Sequence, residues 1–240
     1  MSRYGYAASA PYYDLVYRGM GKDYRDEATC LRGFFEWKLQ CASRRLLDIG
    51  CGTGAHAQHF SELGFQVEGL DISPEMLAVA RRRSPAVTFH EGDLSDIKLA
   101  GKWGVITSEF GAIAHLLTYE ELCQFCTWCW DHLETGGVLA YEPWIRPPQY
   151  HLGWSAKRRV CLPELEVTRE GFHAREGDVA HLDQFFTIVR PGRVVRFHEQ
   201  LLMALYTTGQ YENAMRAAGF AVDSCYNRPT LRGTIYGKKL

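Results

Sequence analysis

From about residue 44 the chain alternates short apolar runs with amphipathic ones, a pattern that predicts strand, helix, strand, helix. Arg44–Ile49, Gln66–Asp71, Val87–His90, Trp103–Ser108 and Val138–Glu142 read as five strands of a parallel sheet. Between them, Ala55–Leu63 reads as a helix that starts directly after a glycine run. Ser73 caps a second helix with Pro74 at its first position and Arg83 near its end. Tyr119–Leu133 carries apolar residues at helical spacing before Gly136-Gly137 turns the chain. Beyond Pro143 the period changes. Arg158–Thr168, Val179–Val189 and Arg193–Leu202 are long and partly alternating, with Pro191-Gly192 as a turn, and they predict an antiparallel sheet inserted over the core. A helix over Gln210–Ala218 ends at Gly219, and strands near 221–226 and 233–238 close the chain. The expected organisation is an N-terminal segment over 1–40, a core built from 41–144 and 207–240, and an insert over 145–206. The N-terminal segment holds six tyrosines by position 24 and a helix near Tyr24–Leu39, and is read as a lid or an aromatic flap.

Composition narrows the partners. The 240 residues can bury an adequate core without bridges or metals. With 27 Lys and Arg against 28 Asp and Glu and no long basic run, the chain lacks the footprint of a nucleic-acid binder. No stretch approaches the roughly 18 apolar residues of a membrane helix, and no secretory pattern opens the chain, so a cytoplasmic location with no membrane partner is expected. The eight cysteines are irregularly placed and are read as reduced thiols. Cys123, Cys126 and Cys129 recur every three residues, which is one face of a helix rather than a cluster-binding run, and no metal is expected.

The candidate chemistry begins at Asp48-Ile49-Gly50-Cys51-Gly52-Thr53-Gly54, where a strand runs into a helix. Gly50, Gly52 and Ala55 also satisfy the dinucleotide spacing, so an NAD-dependent oxidoreductase is a rival reading. Charge separates the two. Asp48 can accept a hydrogen bond from an ammonium group but would repel a pyrophosphate, and S-adenosyl-L-methionine carries an ammonium and a sulfonium and no phosphate. Asp71 ends the second strand, where a carboxylate can hold ribose hydroxyls, and Asp93 in Gly92-Asp93-Leu94 follows the third, where an adenine amino group can bind. Ile72, Met76 and Ser108 complete the expected cofactor wall.

On these motifs the chain resembles the class I S-adenosylmethionine-dependent methyltransferases over about 44–142. The resemblance implies a Rossmann-like seven-stranded methyltransferase sheet with the last strand antiparallel, and an antiparallel β insert over the acceptor site. Tyr13-Asp14-Leu15, Gly21-Lys22-Asp23-Tyr24, Gly111–Leu116, Glu142-Pro143-Trp144 and Gln210-Tyr211-Glu212 resemble, more narrowly, the N,N-dimethyltransferases of nucleotide-linked amino-deoxysugars in macrolide biosynthesis. That resemblance implies that His115 lies near the reacting amine, that Arg232 in Leu231-Arg232-Gly233 matches a family arginine, and that Tyr4 or Tyr6 contacts the cofactor.

His115 then positions the amine or takes its proton, or is a satisfied pocket histidine. Glu109 and Glu142 end two strands beside the expected methyl position, where each holds the acceptor or serves as a solvated or capped acid. Tyr17, Lys22, Trp144 and Arg232 are the candidate acceptor contacts, the two cations for a phosphate. Glu109, where the family has an apolar residue, and the shortened Trp144-Ile145 depart from the family and bear on acceptor identity. The expected partners are a small-molecule acceptor, a dTDP-linked sugar among the candidates, and a second copy in a homodimer. An O-methyltransferase on the same scaffold and a non-catalytic cofactor-binding protein are the remaining rivals.

Overall fold

The computed structural model describes residues 5–38, 40, 42–153, 155–225 and 232–240. After a 3-10 turn at Ala10–Tyr12, the N-terminal segment forms α1 (Tyr13–Arg18) and α2 (Tyr24–Lys38). The core then runs β1 (Arg45–Ile49), α3 (Ala55–Glu62), β2 (Gln66–Asp71), α4 (Pro74–Arg83), β3 (Thr88–Glu91), β4 (Trp103–Ser108), α5 (Tyr119–His132) and β5 (Leu133–Tyr141). The insert strands are β6 (Ser155–Leu162), β7 (Leu165–Glu176), β8 (Val179–Arg190) and β9 (Arg193–Ala204). The chain returns to the core through α6 (Thr208–Ala217), β10 (Ala221–Cys225) and β11 (Thr234–Lys238).

The seven core strands lie in the order β10-β11-β5-β4-β1-β2-β3. Strands β1 to β5 are parallel wherever they pair, and β11 is antiparallel to both β5 and β10. Apolar residues cover both faces. Leu46, Val67, Val105 and Ala140 meet α2, α3 and α4 on one side. Leu47, Ile106, Leu139 and Tyr141 meet α5 and α6 on the other, where Cys126 and Cys129 are buried helix-face thiols. Strand order reverses between β1 and β4, so the carboxyl ends of these two strands diverge and leave a crevice.

Helix starts follow local chemistry. Ser73 sits in an extended conformation, its Oγ accepts the Met76 N–H at 3.2 Å, and Pro74 occupies the first turn. Thr118 with Glu121 and Thr207 with Gln210 form reciprocal capping boxes before α5 and α6.

Two expectations change. Gly136-Gly137 is no turn: β5 begins at Leu133, and Gly136 at φ +80° sits where the β4–β5 register shifts between Trp103 and Val105. Arg158–Thr168 is not one strand, because Glu164 at φ +61° folds it into the β6–β7 hairpin. The four insert strands form a separate antiparallel sheet in the order β6-β7-β8-β9. Its inner face packs Val167, Phe186 and Ile188 on Val16 of α1, and Ala180, Leu182, Leu201 and Met203 on Ala114 and Trp144. No described helix is long and apolar enough to cross a membrane.

Two glycines after β1 and α3 separate packing from backbone strain. At Gly54, φ +70°, a Cβ would lie 2.9 Å from Ala80 Cβ and 3.0 Å from Phe89, whereas at Gly64, φ +92°, it would meet nothing. Gly54→Ala is expected to cost about 2–4 kcal/mol in urea unfolding, combining strain with overpacking, and Gly64→Ala about 1–2 kcal/mol from strain alone.

Candidate active site

The crevice at the carboxyl ends of β1 and β4 is open to solvent, and together with its open mouth it spans about 870 Å³. The glycine turn forms its floor. Gly50, Gly52 and Gly54 all take left-handed φ angles of +71°, +54° and +70°. A Cβ at Gly50 would strike Ala112 at 2.5 Å, so this glycine lets the β1 and β4 loops touch. A Cβ at Gly52 would meet no protein atom and would project into ligand space.

Asp71 fixes the turn. Its Oδ2 accepts the Gly52 N–H at 2.8 Å and its Oδ1 the Ser73 N–H at 2.9 Å, which ties the glycine turn to the cap of α4. Burial raises the Asp71 carboxyl above its ordinary range despite these bonds. Asp48 is 1 % exposed, its Oδ2 has no hydrogen-bond partner, and burial together with the Asp71 charge pushes it up to about 7. A buried carboxylate oxygen with lone pairs unspent is a seat for a cation. The residues therefore fit S-adenosyl-L-methionine: Asp48 would take the ammonium and Asp71 the ribose hydroxyls. A diphosphate here would place more negative charge beside two acids that burial already strains.

Of the expected cofactor residues, the structure brings Tyr6, Asp48, Gly50, Cys51, Gly52, Asp71, Ile72, Met76, Gly92 and Leu94 to the cleft wall. Gly54 starts α3 behind the turn. Asp93 turns its Oδ1 onto the Ser95 N–H and hydroxyl, both at 2.8 Å, while its neighbours line the cleft. Ser108 is fully buried inside the sheet. Tyr4 lies outside the described residues.

His115 and Glu109 both reach the cleft. The Nδ1 of His115 lies 3.1 Å from the Leu202 carbonyl, which can only accept, so Nδ1 carries a proton and, in the neutral imidazole, Nε2 is the acceptor nitrogen. That Nε2 is 3.3 Å from the Tyr6 hydroxyl. Tyr6 is held at φ +115°, a strained backbone conformation for a tyrosine. Glu109 is 3 % exposed; Thr107 donates to its Oε1, and its Oε2 has no partner. Burial, then the Glu142 charge, raises its carboxyl well above the ordinary range.

Glu142 does not line the cleft. Fully buried, it accepts the Phe110 N–H at 2.9 Å and the Arg232 Nη1–H at 3.2 Å, and its carboxyl is raised by burial. Lys22 pairs with Glu27 at 2.6 Å, and Glu27 in turn meets His56 at 2.9 Å. Phe110, in left-handed conformation at φ +57°, gathers the side chains expected at the acceptor around its ring. Lys22 lies 3.8 Å and Arg232 5.1 Å from its ring centre, and Tyr17 packs on it edge to face. Trp144 is buried behind Gly111.

Sequence reasoning missed Phe110, because its role comes from a positive φ that no side chain announces. It also missed a latch on the N-terminal segment. Asp14 of α1 pairs with Arg83 of α4 and accepts the Thr53 hydroxyl at 2.7 Å, while Arg83 donates to the Thr53 carbonyl at 2.9 Å. The Asp14 of the Tyr13-Asp14-Leu15 motif was the available signal.

A glycine turn at the switch point of a seven-stranded sheet, with acids where a cationic cofactor needs them, defines an S-adenosylmethionine-dependent methyltransferase. Residues 46–137 match the sequence family described as Methyltransferase domain. A Streptomyces venezuelae dTDP-3-amino-3,4,6-trideoxy-alpha-D-glucopyranose N,N-dimethyltransferase is 37 % identical over 95 % of this chain and 96 % of its own. The crystal structure of Streptomyces venezuelae DesVI superposes with a TM-score of 0.89 at 37 % identity, covering 95 % of this chain and 97 % of that one. Bound to S-adenosylmethionine, CalS10, an amino pentose methyltransferase of calicheamicin biosynthesis from Micromonospora echinaspora, gives 0.84 at 32 %, covering 95 % and 96 %. The chain belongs to the S-adenosylmethionine-dependent methyltransferases, in the family of the dTDP-amino-deoxysugar N,N-dimethyltransferases.

Because an ammonium prefers the ionised Asp48, whose carboxyl stands at about 7, cofactor affinity should depend on pH in a defined direction. Below pH 7 a proton must leave for the cation to bind. Affinity for S-adenosylhomocysteine is expected to fall by up to about tenfold per pH unit below 7 and to level off above it, and Asp48→Asn should flatten the profile. Calorimetric titration between pH 5.5 and 8.5 checks both.

Proposed function

We propose that the enzyme methylates the amino nitrogen of a nucleotide-linked amino-deoxysugar. The observation that carries the reading is the placement of His115: its Nδ1 donates to the Leu202 carbonyl, and its Nε2 points to the Tyr6 hydroxyl at the cleft wall. When bound, S-adenosylmethionine supplies a methyl group already activated on a cationic sulfur. The protein must therefore hold a neutral amine in line with that carbon, and orientation of this kind can contribute about 7–11 kcal/mol of barrier lowering. As the new C–N bond forms and the C–S bond breaks, the nitrogen becomes cationic. His115 Nε2 takes the proton it sheds. Glu109 is the second group at the acceptor nitrogen: its Oε2, buried and without a partner, is suited to an N–H or a cationic amine. The relative from Streptomyces venezuelae is named for N,N-dimethylation of a dTDP-linked 3-amino sugar, and this supports the same acceptor class here.

The test is incubation of the purified enzyme with S-adenosylmethionine and a dTDP-linked 3-amino-3,6-dideoxyhexose, read by mass. Addition of one or two methyl groups is expected. Methylation only of the analogue bearing a hydroxyl in place of the amine would replace this reading by O-methyl transfer. His115→Ala is expected to lower kcat about 100-fold or more while S-adenosylhomocysteine affinity changes less than about twofold. Steady-state kinetics paired with calorimetry separates the two quantities.

A further inference from the structure

Two buried carboxylate oxygens of the cleft residues have no hydrogen-bond partner, Asp48 Oδ2 and Glu109 Oε2. The cofactor ammonium accounts for the first and leaves the second without a use. Glu109 stands on a different wall. Asp48, Gly52 and Asp71 line the cleft from the β1 and β2 side, whereas Glu109, Ala112 and His115 line it from the end of β4. The Glu109 carbonyl accepts the Ala112 N–H at 3.3 Å, and the 3-10 turn Ala112–His115 follows at once. Glu109 and His115 therefore sit at the two ends of one tight turn.

Among the described residues no cation forms an ion pair with Glu109. Lys22, whose charge reaches it, is paired with Glu27 at 2.6 Å, and Arg232 is paired with Glu142 at 3.2 Å. Thr107 of β4 donates to Oε1, and the remaining charged groups that act on Glu109 are acids, Glu142 after β5 and Asp48 of β1. Burial among them moves the proton affinity of this carboxyl toward that of an amine. A buried acid so placed gains most from a partner that brings its own positive charge. An aliphatic amino group does so: it is largely an ammonium at neutral pH, and it has no lone pair until it loses a proton. A sugar hydroxyl is neutral and offers no such charge.

We infer that Glu109 selects nitrogen over oxygen: its Oε2 pairs with the ammonium of the incoming acceptor and takes the first of its protons. The inference rests on the amine acceptor proposed above and assigns the choice of nucleophile to one residue. The proton passes from nitrogen to Oε2, which leaves a neutral amine beside a neutral carboxylic acid. The freed lone pair forms the C–N bond as the C–S bond breaks, and His115 Nε2 takes the second proton from the methylated nitrogen. Glu109 acts before methyl transfer and His115 after it. A hydroxyl in the same place leaves Glu109 without its counter-charge, and a site built around a buried polar group discriminates strongly against a ligand that does not satisfy it.

The experiment is calorimetric titration of a matched pair into the protein loaded with S-adenosylhomocysteine: a dTDP-linked 3-amino-3,6-dideoxyhexose and its 3-hydroxy counterpart. Near neutral pH the wild type is expected to bind the amine about 10- to 100-fold more tightly, and Glu109→Gln to bring that ratio below about threefold while still binding S-adenosylhomocysteine. The hydroxy compound corrects for titration of Asp48, Glu142 and His115, which both ligands meet. In the wild type the ratio should fall on the acid side, where Glu109 holds a solvent proton, and again on the alkaline side, where the amine has lost its charge. In Glu109→Gln only the neutral amine is left to bind, so the ratio should climb to a plateau with no alkaline fall. Equal affinities in the wild type, or a wild-type ratio kept by Glu109→Gln, overturn the inference and leave the amine acceptor standing wherever the amine is still methylated. Should Glu109→Gln lose S-adenosylhomocysteine binding, the wild-type pH series decides, and a ratio without an alkaline fall overturns it. A Glu109→Gln that weakens S-adenosylmethionine relative to S-adenosylhomocysteine at an unchanged ratio overturns it too, by assigning the carboxylate to the sulfonium. A wild type that methylates only the hydroxy compound overturns the amine acceptor, and the role of Glu109 with it.

Discussion

The carboxylate of Asp71 holds the active site in shape. One oxygen takes the Gly52 N–H and the other the Ser73 N–H, so a single side chain at the end of β2 sets both the glycine turn and the start of α4. Such charge-assisted bonds are among the stronger ones in a protein interior. The neighbouring carboxylate is shaped by the same burial. Burial first, and the Asp71 charge second, push the Asp48 carboxyl up to about 7, and one of its oxygens is left without a partner. A site that leaves a buried acid unsatisfied is preorganised for the cation that will satisfy it, and S-adenosylmethionine brings that cation together with the methyl group.

Charge is more mixed under the insert. Acids gather at the glycine turn and the β4 end, whereas the inner face of the insert carries Arg169 of β7 and the buried Glu199 of β9, whose Oε1 accepts the Ser9 N–H. Between the two lies a neutral bridge of paired groups: Glu142 holds the Phe110 loop and Arg232, Lys22 rests on the Phe110 ring, and Glu27 links Lys22 to His56. The N-terminal segment closes this region through the Asp14, Arg83 and Thr53 latch, which couples α1 to the cofactor turn itself. The cofactor acids, His115 and Tyr6 thus share one cleft that the N-terminal segment helps to wall.

Much of this was legible in the residues. Gly50, Gly52 and Gly54 after an apolar strand, Asp48 before them and Asp71 after β2 carry their own physical reasons, and Ser73-Pro74 marks the start of α4 through cap chemistry alone. What was not legible depends on backbone irregularity or on distant partners. The bulge at Gly136 looks like a turn because a glycine pair serves either purpose. Pro163-Glu164 hid a hairpin inside an alternating run, since Glu164 is not a residue that advertises positive φ. Lys22 and Arg232 carry the charges a phosphate needs, yet their neutralisation by Glu27 and Glu142 exists only in three dimensions. Arg158 and Arg169 are eleven residues apart in a charged stretch, and only the β6–β7 register makes them neighbours.

The central claim, that the buried acids at the glycine turn seat a cationic cofactor, is tested most directly by a crystal structure with S-adenosylhomocysteine. The homocysteine ammonium is expected within hydrogen-bonding distance of Asp48, with the ribose hydroxyls at Asp71. An ammonium seated away from Asp48 would contradict the claim.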